Sequence, residues 1–195
     1  RVEKMKQNDE FVVASEDMSE DGAGIGRVDG YIWVIKDTVI GDVVRAGVMK
    51  MKKTYGFARL IEVVEPSKDR VGPRCPVARQ CGGCQLQMMD YEAQLRFKER
   101  KIYNKDEGAG TGERAGADGR KIVRMEPIMG MEEPWRYRNK AQFPFGVSKD
   151  GRVITGFYAG RTHSIIENED CLLGVEENRE ILRLVREFME EFGVK

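Results

Sequence analysis

The sequence predicts an α+β protein of two domains: an N-terminal OB-like β-barrel over residues 1–66, then an α+β domain over 67–195 that carries a four-cysteine site. Three observations point there. The first 66 residues hold only short β-branched or aromatic runs between glycine-rich or charged turns. The two stretches with helical spacing both lie after residue 89. Of the four cysteines, three fall in one run, CPVARQCGGCQLQ (Cys75 to Gln87), and the fourth is Cys171.

In the first region Phe11 to Ala14, Arg27 to Ile35, Asp42 to Met49 and Tyr55 to Val64 read as strands. About five short strands in that length suggest a small closed barrel. The turn EDGAGIGR (Glu20 to Arg27) has the look of a nucleotide-binding glycine loop. Such a loop needs a strand before it and a helix after it. Here RVDGYIWVI follows and reads as a strand, so the glycines are assigned to a hairpin connection. The barrel's one basic segment, RAGVMKMKKTYGFAR, interleaves Arg45, Lys50, Lys52, Lys53 and Arg59 with Tyr55 and Phe57. Cations among aromatics suit a surface that tracks a phosphate backbone and stacks bases, which makes Lys50, Lys52, Lys53 and Arg59 candidate RNA contacts. The competing reading is a solvated hairpin with the two rings in the core.

Pro66 to Pro73 reads as a proline-bounded linker. Asp90 can cap a helix running to Lys105, with Tyr91, Leu95 and Ile102 on one face and Arg96, Lys98, Arg100, Lys101 and Lys105 outside. Residues 106–119, DEGAGTGERAGADG, hold five glycines and no large apolar residue, and are expected to form a mobile loop. They lack the Gly-Lys-Ser/Thr ending of a phosphate-binding loop. Strands are expected again at Ile122 to Met125, Ala141 to Val147, Val153 to Tyr158 and Thr162 to Glu167. They enclose WRYRNKAQFPFG, in which Arg136, Arg138, Lys140 and Gln142 alternate and would share one side of an extended segment. These four are the second set of candidate RNA contacts, joined by Arg161 and by His163, the only histidine, whose other reading is structural. Glu176 to Phe192 closes the series as an amphipathic helix with Ile181, Val185, Phe188 and Phe192 at helical spacing, packed or awaiting a partner.

The spacing C-x5-C-G-G-C plus one remote cysteine is the arithmetic of a four-thiolate metal site. Thiolates are soft ligands and select zinc or an iron-sulfur cluster over harder cations. A zinc ribbon would show two C-x2-C pairs; this chain shows one, and its five-residue gap favours a cluster. Gly82 and Gly83 are expected to let the backbone wrap a bulky inorganic core. Disulfides are disfavoured because no hydrophobic leader opens the sequence.

Lys plus Arg equals Asp plus Glu at 33 each, which argues against a uniformly basic nucleic-acid binder and leaves recognition to local patches. No apolar stretch approaches a bilayer span. A soluble, cytoplasmic monomer is expected.

Together CPVARQCGGCQLQ, YEAQLRFK, YRNKAQFPFG, GFYAGRTHSII and NEDC resemble the N-terminal part of RumA-type 23S ribosomal RNA (uracil-C5)-methyltransferases. The region before them, including DGAGIGRV and ARLIEVVEPSKDRV, is similar to the TRAM domain of those enzymes. The resemblance implies a 4Fe-4S cluster on Cys75, Cys81, Cys84 and Cys171, a TRAM domain that grips RNA, and a central domain that helps form the RNA cleft. It also implies a Rossmann-like domain that binds S-adenosylmethionine and carries a nucleophilic cysteine, and this sequence shows no such domain. Cys171 is followed by Leu172 and Leu173, whereas the family's nucleophile is followed by asparagine and proline. The chain is therefore expected to be truncated and inactive alone, its full-length relative methylating 23S ribosomal RNA. Two other functions stand beside this one: a stand-alone TRAM-type RNA-binding module with a structural metal site, and an iron-sulfur redox or sulfur-transfer protein of RNA modification. The radical C-x3-C-x2-C motif of methylthiotransferases is absent from the sequence.

Overall fold

The structure is a computed structural model that describes residues 5–106, 113–115, 121–124, 126–160 and 162–194. It divides into two compact units, one of Arg1–Val71 with Met89–Glu132 and the other of Gly72–Met88 with Glu133–Lys195. The chain leaves the first unit at the cysteine run and returns to it for the first helix.

The first unit holds six barrel strands, β1 (Glu10–Ala14), β2 (Asp17–Met18), β3 (Gly24–Val28), β4 (Tyr31–Ile35), β5 (Val43–Met51) and β6 (Tyr55–Glu65), in the order β1-β5-β6-β4-β3-β2. Strands β1 and β2 lie at opposite edges of this order, yet only Ser15 and Glu16 separate them in the chain. A sheet with that connectivity has to curl onto itself, and the Glu16 N–H donates to Ile25 O at 2.8 Å where it does. Inside lie Phe11, Val13, Trp33, Ile35, Val44, Ala46, Val48 and Ala58. Trp33 is fully buried at the centre, with ring centroids 4.5 Å from Phe11 and 5.1 Å from Tyr31. Each such side chain contributes about 1.5–3 kcal/mol by leaving water.

The reading of Arg27 to Ile35 as one strand needs correction. It is a hairpin, with Asp29 and Gly30 forming a two-residue turn at φ +48° and +79°. Asp-Gly at this spacing is a strong hairpin signal, because both positions of the turn require positive φ. Gly24 and Gly26, placed in a turn by the sequence reading, are strand residues. A Cβ on Gly24 would lie 1.9 Å from Thr38 Oγ1, and one on Gly26 would lie 2.4 Å from Ala14 O. These glycines serve close packing at the barrel seam.

The segment expected to be a linker is anchored to the barrel. Arg70 donates from Nη2 to Asp42 Oδ2 at 2.7 Å and to Asp37 O at 2.8 Å, and Asp42 is wholly buried. Asp42 also accepts the N–H groups of Val39 and Ser67 at 2.6 and 2.9 Å. Its unit continues with α1 (Tyr91–Asp106), capped as expected by Asp90, which accepts the Glu92 N–H at 3.0 Å. Ala93 and Phe97 form the buried face, whereas Ile102 is exposed. Arg96 pairs with Asp69 at 2.9 Å and Lys101 donates to Glu20 O at 3.1 Å, so part of the basic surface of α1 is already engaged. Within the stretch expected to be a mobile loop, β7 (Glu113–Ala115) pairs with β8 (Lys121–Arg124), which lies at the strand expected from Ile122; most of the loop stretch lies outside the described residues.

The second unit is built on a three-stranded antiparallel sheet of β9 (Phe145–Val147), β10 (Val153–Tyr158) and β11 (Ile165–Glu167), with α2 (Glu177–Glu191) against β10. The strands at β9 and β11 are shorter than expected: residues 139–144 are irregular and only Ile165–Glu167 pairs with β10. Leu182 is the buried residue of α2, while Ile181, Leu184, Val185, Phe188 and Phe192 are exposed along one side. The apolar stripe read from the sequence is therefore uncovered. No helix among the described residues is long and apolar enough to cross a membrane.

Candidate functional site

Two sites emerge, one in each unit. In the barrel, the β5–β6 hairpin presents the basic-aromatic segment. Its tip is Lys52, Lys53 and Thr54, all exposed, closed by the Lys52 N–H donating to Tyr55 O at 2.8 Å. The register sets Lys50 opposite Phe57 and Val48 opposite Ala58, leaving Met49 as the extra residue of a bulge. A bulge re-aims the side chains next to it, and Met49 is accordingly 54% exposed. Along β6 the inner positions are Gly56 and Ala58, so Tyr55, Phe57 and Arg59 face outward. Tyr55 and Phe57 meet edge to face at 5.5 Å, and Lys52 Nζ sits 4.9 Å from the Tyr55 centroid and 5.6 Å from that of Phe57. The rings are half-buried members of an outer surface and not of the core. Tyr31, which the sequence reading did not select, fixes this surface by donating to Lys52 O at 2.7 Å and accepting the Lys52 N–H at 3.2 Å. Among the described residues Lys50, Lys53 and Arg59 have no ion-pair partner. Arg45 differs: it bridges Glu10 at 3.0 Å and Glu62 at 2.6 Å. A surface of unpaired cations flanking two aromatic faces can hold phosphates and stack bases.

The second unit contains all four cysteines. The run from Cys75 to Cys84 is a chain of tight turns: Ala78 N–H donates to Cys75 O, Gln80 and Cys81 N–H to Val77 O, and Gln87 Oε1 accepts the Cys75 N–H at 3.2 Å. Cys81 bridges Ala159, just past β10, and the Gly82 N–H donates to Tyr158 O at 3.0 Å. Gly82 is needed there for room: a Cβ would lie 2.9 Å from Tyr158 O and 3.0 Å from Gly160 N. Neither Gly82 nor Gly83 takes a positive φ, so Gly82 serves close approach and not an unusual backbone, while a Cβ on Gly83 would meet only Cys81 Sγ, at 3.4 Å.

All four cysteines are free thiols, with Cys75 and Cys81 buried. Burial pushes the Cys75 thiol up in pKa, with Cys81, Cys171 and Asp170 adding to it. Burial likewise raises Cys84, and the sulfurs of Cys81, Cys171 and Cys75 reinforce the effect. Four cysteine sulfurs are, by residue type, the donors of a soft metal group. The expected closed ligand sphere is nonetheless corrected: among the described residues no three Cys, His, Asp or Glu side chains stand in metal-holding geometry. The residue types suit a soft metal group; their placement among the described residues does not enclose one.

The other candidate RNA contacts are divided by the structure. Arg136 is committed elsewhere: it forms a two-pronged pair with Asp170 at 2.6 and 2.9 Å. That pairing holds the Asp170 carboxyl below its ordinary pKa. The expected strand through Arg136, Arg138, Lys140 and Gln142 does not form, because Arg136 takes φ +56° and only Arg138 bridges a neighbour, Gly174. The four do not share a strand face. Lys140 and Gln142 are exposed, and Arg138 is half-buried. His163 is exposed with its ring edge-on to Tyr158 at 5.4 Å. Arg161 lies outside the described residues.

Residues 7–61 match the TRAM domain. That span holds the whole basic-aromatic surface of the hairpin. Over 193 residues the chain is 44% identical to an uncharacterized RNA methyltransferase of Halalkalibacterium halodurans, covering 98% of this chain and 40% of that protein. It is 38% identical over 191 residues to another from Listeria monocytogenes, with 98% and 40% covered. A third, from Clostridium acetobutylicum, is 35% identical over 195 residues, with 100% and 41% covered. The chain thus spans about 40% of the length of the curated relatives it matches. Among solved structures, the Pyrococcus abyssi tRNA (uracil-54, C5)-methyltransferase in complex with S-adenosyl-L-homocysteine superposes with a TM-score of 0.61. It is 21% identical and the match covers 94% of this chain and 37% of that one, a likeness of fold.

Proposed function

We propose that these 195 residues are the RNA-recognition part of an S-adenosylmethionine-dependent RNA uracil-C5 methyltransferase that acts on 23S ribosomal RNA. The observation that carries the reading is the outward set Lys50, Lys52, Lys53, Tyr55, Phe57 and Arg59, which lies within the segment matched by the TRAM domain. Its unpaired cations supply phosphate contacts and its rings supply base stacking. Relatives named RNA methyltransferases support the reaction class. The ribosomal substrate rests on the resemblance of CPVARQCGGCQLQ and YRNKAQFPFG to that family.

Cys75, Cys81, Cys84 and Cys171 would hold a 4Fe-4S cluster, and that assignment leaves no cysteine to act as nucleophile. Such a cluster would bind together two segments far apart in sequence. In this reading these 195 residues recognise RNA as a cytoplasmic monomer and do not by themselves transfer a methyl group. The test is direct. Purified protein is titrated with uridine-containing fragments of 23S ribosomal RNA, a transfer RNA and a control duplex, and iron and sulfide are measured after anaerobic purification. Preferential binding to a ribosomal fragment, with about four iron and four sulfide per chain, is the expected result. Preference for the transfer RNA overturns the substrate, and one zinc per chain overturns the cluster.

A further inference from the structure

We infer that Arg136 is a positioning residue for the cysteine site: together with Trp135 it clasps the Cys171 turn to the segment that begins at Cys75. The inference rests on the reading of the four cysteines as one ligand set. Cys171 is remote in sequence from the other three, so something other than local turns has to bring it to them. Arg136 touches both flanks of Cys171. Its Nη1 and Nη2 donate to the two carboxylate oxygens of Asp170 at 2.6 and 2.9 Å, and Nη1 also reaches Cys171 O at 3.1 Å and Gly174 O at 3.2 Å.

The backbone repeats the grip. Arg136 N–H donates to Leu172 O at 2.9 Å, Arg138 N–H to Leu173 O at 2.8 Å, and Gly174 N–H closes the turn onto Cys171 O at 2.9 Å. Arg136 adopts φ +56°, a region that side chains other than glycine rarely enter. In this conformation its backbone N–H and its guanidinium both reach the same four-residue turn. On the other side, the Trp135 ring carries the Arg74 guanidinium at 5.0 Å, and Arg74 is the neighbour of Cys75. Adjacent residues thus hold both sequence-distant ends of the site. Only a planar fork with several donors can serve a carboxylate and two carbonyls at once, which lysine's single ammonium cannot.

The experiment measures each thiol separately in reduced, metal-free protein, by iodoacetamide labelling over time and peptide mass spectrometry. Variants are Arg136→Lys, Asp170→Asn and, as a control in the same unit, Arg152→Ala. A clasp predicts that Arg136→Lys and Asp170→Asn speed Cys171 labelling by about tenfold through easier local opening. Cys75 and Cys81 stay within about twofold and Arg152→Ala changes none of the four. Anaerobic reconstitution with iron and sulfide gives the second readout, with a lower iron content for both clasp variants. Cys171 labelling and iron content equal to wild type in Arg136→Lys would show that charge alone suffices and would overturn the clasp. Fast Cys171 labelling in the wild type overturns it as well. Wild-type protein that takes up no iron refutes the ligand-set reading, while the labelling rates still decide whether Arg136 restrains Cys171. Equal acceleration of all four thiols with loss of circular dichroism marks general unfolding and counts against a local role.

Discussion

Replacing Asp42 by asparagine should remove the strongest single tie between the barrel and the segment that follows it. Asp42 is completely buried and receives N–H groups from Val39, Ser67 and Arg70, the last through both Nε and Nη2. Asparagine keeps the shape but presents an NH₂ group to donors and leaves the Arg70 charge uncompensated. Breaking a buried ion pair from one side costs about 3–5 kcal/mol. Because Arg70 retains 18% side-chain exposure, the lower end applies, about 3 kcal/mol. At about 2–4 °C per kcal/mol for a chain of this size, Tm should fall by about 10 °C. The double variant with Arg70→Met should recover part of this loss, since it removes the stranded charge.

The pH dependence has a definite sign. Burial alone would raise the Asp42 pKa, but the bonds from Arg70, Ser67 and Val39 outweigh it and hold the carboxyl below its ordinary value. A depressed carboxylate pKa stabilises the fold fully above the unfolded value of about 3.9, and that stabilisation is lost as pH falls through the folded value. Urea titrations of wild type and Asp42→Asn should therefore show a constant gap from pH 7 to about 5 that narrows below about pH 4. A gap under about 1 kcal/mol at pH 7, or one that widens on acidification, would refute this account of Asp42.

Changing Lys52 and Lys53 together to alanine should weaken RNA binding on every sequence and lower the slope of log affinity against log salt by about 1.5, read by fluorescence anisotropy. Arg136→Lys should leave RNA affinity within about twofold of wild type, because Asp170 already occupies that guanidinium; a tenfold loss would return Arg136 to the RNA-contacting set. Gly24→Ala should cost about 1–3 kcal/mol in urea unfolding, since its Cβ would overlap the buried Thr38 hydroxyl. Gly30→Ala, with open space around its Cβ and φ +79°, should cost only about 1 kcal/mol, a purely conformational penalty. A Gly24→Ala protein as stable as wild type would mean that the barrel seam can open around the added methyl.

The barrel was legible because alternation of apolar residues survives even where strand ends are misplaced. Phe11, Val13, Trp33, Ile35, Val44 and Val48 are apolar and all reach the core. Asp29-Gly30 was passed over in favour of the glycine-denser stretch before it, although the turn chemistry resided in the aspartate-glycine pair and the packing role in Gly24 and Gly26. The spacing of the cysteines gave no sign of the contacts that Arg136 makes with the Cys171 turn. Arg136 and Asp170 are remote in the chain, and alternation of donors in WRYRNKAQ resembles an exposed strand until a positive φ at Arg136 breaks it. Arg70 was likewise hidden, since a proline-bounded stretch rich in charge gives no sign that one of its cations pairs with the buried Asp42.

The uncovered stripe on α2 has a colloidal consequence. Ile181, Leu184, Val185, Phe188 and Phe192 give this small protein a contiguous greasy patch on an otherwise charge-balanced surface of zero formal net charge. With no long-range repulsion to hold molecules apart, the second virial coefficient should be negative near neutral pH, and light scattering should rise faster than concentration. A single Phe188→Glu should turn that coefficient positive without touching the barrel hairpin or the thiols.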